Sequence, residues 1–131
     1  MELQPGLSHE FTLRVEHKLT IQSRDSQLPA VYATPAMIWA MEEAAACAVQ
    51  PALPPGSITV GTAIHVEHLA ATPEGMQVTV RAELTAVNGR LLEFRVEARD
   101  QRELIGRGTV NRAVVDLARF NARLQKKSRL C

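Results

Sequence analysis

Apolar residues recur at Phe11, Leu13, Val15, Leu19 and Ile21, and His17 falls on the same face. A period of two predicts a strand over residues 10–21. Residues 22–27 are polar and read as a loop. Residues 28–33 have no clear element, because Pro29 argues against a regular strand. Thr34-Pro35 signals a helix start: a threonine hydroxyl can cap free N–H groups, and proline is tolerated in the first turn. A helix is then expected over residues 36–50, stopping at Pro51. Its apolar members, from Met37, Ile38 and Trp39 to Cys47, Ala48 and Val49, go all the way round a helical wheel. That is the pattern of a helix buried on every side. Its many alanines keep it slim, so other backbone can approach.

Residues 51–56, rich in proline and glycine, form a turning connection. Extended segments follow at 57–72, at 76–87 with Val78, Val80, Ala82 and Leu84 on one face, and at 90–100 with Leu92, Phe94 and Val96. Asn88-Gly89 is a strong hairpin signal between the last two. A turn at 101–103 leads to a further extended segment at 104–115. Residues 116–125 read as a short helix with a stripe of Leu117, Phe120, Asn121 and Leu124. The predicted order is strand, buried helix, then a meander of four strands. A sheet with one apolar face must cover something, and the helix is what needs cover. The expectation is an α+β hotdog fold, a curved antiparallel sheet wrapped round a long central helix. One sheet cannot enclose a helix fully, so a homodimer is expected, doubled or not to a tetramer.

The chain has 131 residues, 46% hydrophobic and 22% charged, with a formal net charge of +1. One domain over residues 1–131 accounts for this length. The charge balance gives no reason to seek nucleic acid or anionic lipid, and no basic-aromatic recognition module is present. There is no secretory leader pattern and no stretch able to span a membrane, so a cytoplasmic location is expected. The two cysteines, Cys47 and Cys131, form no disulfide or zinc pattern. Cys47 is expected as a small buried hydrophobe and Cys131 as a frayed terminal thiol.

Glu42 and Glu43 are the only charges within the helix. Adjacent helical residues point about 100° apart, so the two carboxylates cannot share one environment. They are rim residues or dimer salt bridges, or one of them serves a cleft. His68 shares one face with Val60, Thr62, Ile64 and Val66, which alternate with Gly61, Ala63, His65 and Glu67 on the other. It is either a core histidine or a functional one. His65 and His68 face opposite ways and chelate poorly, so no metal is expected. Thr34 stands at a helix N-terminus, where developing negative charge is favoured. Gly61 within a strand marks a bulge or a close approach to the backbone. From Arg119 onward the chain carries positive charge and no acid. This is a solvated terminal helix or an attractor of a phosphorylated ligand.

The strings Ala33-Thr34-Pro-Ala-Met37-Ile-Trp-Ala-Met41-Glu42 and Val60-Gly61-Thr62-Ala-Ile64-His-Val66-Glu-His68-Leu-Ala-Ala-Thr72-Pro73 resemble hotdog thioesterases of the fluoroacetyl-CoA thioesterase-like group. So do Gly106-Arg-Gly108-Thr109-Val-Asn-Arg112 and Phe120-Asn-Ala-Arg123. The resemblance runs from about Phe11 onward. It implies a catalytic set of Thr34, Glu42 and His68, with Gly61, Thr62 and Arg112 on the substrate. It also implies an acyl-CoA substrate, a homodimer and no separate cofactor, coenzyme A being part of the substrate. The resemblance further implies an aromatic-lined lid, but residues 24–32 contain only Tyr32 as an aromatic. A small acyl group other than fluoroacetyl is therefore expected. Thr34 and Glu42 lie some 12 Å apart along one helix, which favours a site shared across the dimer. The nucleotide of coenzyme A has candidate partners in Arg81, Arg90, Arg112 and the C-terminal basic tail. Two other readings compete, a non-catalytic acyl-CoA or acyl-carrier binding protein and an enoyl-CoA hydratase. Binding without turnover marks the first, and any enoyl-CoA hydration marks the second.

Overall fold

The computed structural model describes residues 2–129, so Cys131 lies outside the described residues. A five-stranded antiparallel sheet has the order β1-β3-β4-β5-β2. Its strands are β1 (Ser8–Arg14), β2 (Ser57–His68), β3 (Gln77–Asn88), β4 (Leu91–Asp100) and β5 (Leu104–Asp116). The long helix α1 (Thr34–Val49) lies across the inner face, and α2 (Leu117–Ser128) follows β5. This is the expected α+β hotdog arrangement. Val78, Val80, Ala82 and Leu84 of β3 and Leu92, Phe94 and Val96 of β4 all point inward and are buried. They meet Met37, Met41, Ala44 and Ala45 of α1 in one core. Each fully buried Val, Leu, Phe or Met side chain contributes roughly 1.5–3 kcal/mol.

Several expectations are corrected. The first strand ends at Arg14, where its partner runs out at Gln77. The chain then coils through two short 3₁₀ turns, His17–Leu19 and Ile21–Ser23. The Thr20 hydroxyl donates to the His17 carbonyl and the Ser23 hydroxyl to the Thr20 carbonyl. Such local side-chain bonds offer the backbone an alternative to a ladder. The four later strands do not form one meander. β3, β4 and β5 do, but β2 lies beyond β5 at the far edge. Its connection to β3 is not a tight turn: Pro73 bridges to Val31, and the Thr72 hydroxyl donates to Asp100. The chain thus crosses the end of the sheet before starting β3.

The central helix is buried on one side only. Met37, Ala40, Met41, Ala44, Ala45, Ala48 and Val49 face the sheet. Pro35, Trp39, Glu43 and Cys47, spaced by four, form an exposed strip. Trp39 is 76% exposed, and Cys47 is exposed rather than buried. The apolar wheel therefore exceeds what one sheet covers. The hairpin falls where Asn88-Gly89 places it, with Asn88 paired to Leu91 and Gly89 at φ 62°. The terminal helix runs three residues further than expected, to Ser128, and the Asp116 side chain caps it by accepting from the Arg119 backbone N–H.

Candidate active site

Thr34 does not cap α1. The N-cap is Ala33, and it makes no side-chain cap bond. The Thr34 side chain is thereby left for another partner: its Oγ1 lies 2.7 Å from His68 Nδ1 at the end of β2. The pair sits in a groove of about 330 Å³, walled by Ile21, Val31, Tyr32 and Leu69 to Ala71. Burial pulls the His68 pKa below its ordinary 6.5, opposed by a bond with the Ala70 backbone. The imidazole is therefore neutral at neutral pH. His68 Nε2 is buried and has no hydrogen-bond partner among the described residues. Buried polar atoms are nearly always paired, so this one stands out.

A second groove, of about 420 Å³, lies further along the same helix and strand. Glu42 Oε1 accepts from Arg112 Nη1 at 2.8 Å. Arg112 is held from behind by Thr59, whose hydroxyl accepts from Nε at 2.8 Å and whose carbonyl accepts from Nη2 at 2.9 Å. Trp39, Glu43, Ala46 and Gly61 complete the lining. A Cβ on Gly61 would lie 2.7 and 2.8 Å from the two Glu42 carboxylate oxygens. Gly61 is thus the close approach its position suggested, with a carboxylate as the neighbour.

The two grooves share one face of β2 because its alternation is broken. Gly61 pairs with Arg112 and Ala63 with the next residue, Asn111, so Thr62 is an extra, unpaired residue. This β-bulge reverses which residues point inward. Thr59 and Gly61 face the helix before it; Val66 and His68 do so after it. Regular alternation puts Gly61 and His68 on opposite faces, and the bulge corrects that. Thr62 is itself exposed and lines neither groove.

Within one protomer the structure brings Thr34 to His68 and Glu42 to Gly61 and Arg112, and lines separate grooves with the two sets. Thr59 escaped the sequence reading. Its only signal is a polar residue at an inward position two before Gly61. Thr59→Val keeps the shape and removes one acceptor from a buried guanidinium. The expected loss is about 1–3 kcal/mol in urea unfolding. An unchanged midpoint would show that Arg112 does not depend on that hydroxyl. Among the described residues no group of three or more His, Cys, Asp or Glu could hold a metal ion, and no helix is long and apolar enough to cross a membrane.

Comparison with known proteins bears on this geometry. The model of a family described as fluoroacetyl-CoA-specific thioesterase matches residues 15–118. A fluoroacetyl-CoA thioesterase from Streptantibioticus cattleyicolor is 42% identical over 132 residues, covering 98% of this chain and 95% of that protein. A solved fluoroacetyl-CoA thioesterase structure superposes with a TM-score of 0.90 at 40% identity, over 97% of this chain and 98% of that one. A thioesterase superfamily member from Thermus thermophilus does so with a TM-score of 0.89 at 27% identity, over 96% and 93%. With most of its length matched by that family's model, this chain belongs to the fluoroacetyl-CoA-specific thioesterase family of hotdog-fold thioester hydrolases.

Proposed function

We propose that the protein hydrolyses a small acyl-CoA to the free acid and coenzyme A in a site completed by dimerisation. Thr34 and His68 come from one subunit, with Glu42 of the partner subunit. The observation that carries this reading is the pair of incomplete grooves on one helix and one strand. Residues 34 and 42 flank the exposed Trp39 of α1, and residues 61 and 68 flank the exposed Ile64 of β2. β2 pairs with β5 on one edge and leaves the other edge free. A two-fold axis near Ile64 and Trp39 pairs β2 with its copy antiparallel and sets His68 opposite Gly61. One operation then joins both half-sites and covers Trp39.

A thioester carbonyl is electrophilic, and its thiolate is a competent leaving group. In the composite site the Glu42 carboxylate either adds to the carbonyl or takes a proton from the water that does. With Nδ1–H donated to Thr34 Oγ1, the Nε2 lone pair is the ring's unused acceptor. When Glu42 adds, the thiolate leaves and a mixed anhydride forms; Nε2 then takes a proton from the water that cleaves the anhydride and passes it to the thiolate. When Glu42 instead activates water, the proton it takes returns to the departing thiolate. Thr34 fixes the ring and its tautomer. Arg112 and Thr59 hold Glu42 against the bare backbone of Gly61.

Mixing inactive variants tests the shared site. His68→Ala and Glu42→Gln, unfolded and refolded together in equal amounts, form mixed dimers with one intact site each if the site spans two chains. About a quarter of wild-type activity should return, since half the dimers are mixed and half their sites are whole. No recovery, from material shown to contain mixed dimers, would refute a site built this way.

The acidity of His68 gives a further expectation. Its pKa is lowered by burial, so the imidazole loses its proton below the ordinary histidine range. The acid limb of kcat/KM should have its midpoint under 6.5 and be flat through neutrality. A midpoint above 6.5 would contradict a buried neutral base.

A further inference from the structure

A third cavity, of about 320 Å³, lies where β2 and β5 finish their ladder, at the Ser57–Asp116 pair. Arg90 from the β3–β4 turn and Arg119 and Arg123, one turn apart on α2, all line it, with Phe120 as its aromatic wall. Arg81, Arg95, Arg99 and Arg112 each have a carboxylate within 4.0 Å. Arg90, Arg119 and Arg123 have no side-chain hydrogen bond or ion pair among the described residues. The one acid in the lining, Asp116, is engaged by the Arg119 backbone N–H. Lys126 and Lys127 continue the positive charge along α2.

Three guanidinium groups from two elements repel one another unless an anion joins them. Guanidinium forks match phosphate oxygens two at a time, and an aromatic wall suits a purine base. The volume is within the range of small-molecule sites. The position also fits. β2 carries Gly61 at the carboxylate groove and Ser57 at this cavity, four residues or about 13 Å apart along the strand. From the axis near Ile64, the cavity lies beyond the composite site, on the way out.

We infer that the cavity bounded by Arg90, Arg119 and Arg123 binds a phosphorylated nucleotide, the 3′-phosphorylated adenosine diphosphate end of the acyl-CoA substrate. This inference rests on the hydrolase reading above. It selects Arg90 from the candidates named above and adds Arg119 and Arg123 of α2, while Arg112 is committed to Glu42.

The test compares one acyl group carried on coenzyme A and on pantetheine, which lacks the nucleotide. The double variant Arg119→Ser, Arg123→Ser should raise the ratio of KM for acyl-CoA to KM for acyl-pantetheine on the order of tenfold. Arg90→Ser, on a different element, should raise it in the same sense, which guards against a simple loosening of α2. Arg123→Lys, which keeps the charge, should restore part of the difference. In parallel, equilibrium dialysis of adenosine 3′,5′-bisphosphate should show binding to the wild-type protein and loss in the double variant. Absence of wild-type binding, or a ratio left unchanged, overturns the assignment. Binding lost with the ratio unchanged identifies a free nucleotide as the occupant instead of the substrate. If the wild-type protein hydrolyses no acyl-CoA yet the dialysis result holds, the hydrolase reading fails and the nucleotide site stands.

Discussion

Glu42→Gln is expected to lower kcat at least ~100-fold, the usual range for loss of a positioned acid–base group, with the protein still folded. The substitution is nearly isosteric. The amide oxygen can still accept from Arg112 Nη1, which now donates to Oε1 at 2.8 Å. The fold therefore loses only the charge assistance of one bond, about 1 kcal/mol. The reaction loses the only carboxylate of α1 that is seated on a guanidinium, since Glu43 makes no ion pair among the described residues. A thiol-release assay on a panel of small acyl-CoAs, paired with a thermal melt, reads both effects. Near-normal turnover by a folded Glu42→Gln protein would remove Glu42 from the chemistry.

Gly61→Ala should produce a comparable loss by displacement. The added methyl would stand 2.7 and 2.8 Å from the Glu42 oxygens and 3.1 Å from its carboxyl carbon. Those atoms are the end of a flexible side chain, so they move, and the backbone need not. The cost to stability is accordingly small. The cost to catalysis is not, because a shift of about 1 Å in a reacting group can take ~100-fold from the rate. The signature is a fall in kcat with a Tm close to wild type. A large fall in Tm would mean that the backbone yielded instead. Wild-type kcat would mean that the carboxylate need not stay where it is.

The parts of this fold legible in the sequence are those set by long, regular alternation. The inward rows of β3 and β4 and the turn at Gly89 are where the pattern puts them. The parts that were not legible have specific causes. An apolar wheel shows that α1 avoids water, but it cannot show whether a sheet or a second chain supplies the cover. Hence Trp39 and Cys47, expected inside, lie on the outer strip. The end of β1 depended on Thr20 and Ser23 bonding to nearby carbonyls. The pairing of Thr34 with His68, and of Arg112 with Thr59, joins residues 34 and 53 positions apart, which local spacing does not encode. Thr34 stood out at once as the residue before a proline. Its hydroxyl is left to meet His68 because Ala33 occupies the cap.

The unpaired Thr62 has a consequence for how this stretch tolerates change. Its side chain is exposed and lines neither groove, so its chemical identity is open to drift. Its presence as a spacer is not. Deleting that single codon would restore strict alternation and turn either Gly61 or His68 to the outer surface. In this segment residue count is under tighter constraint than residue type, and homologues with altered length here would have to rebuild the site from other positions.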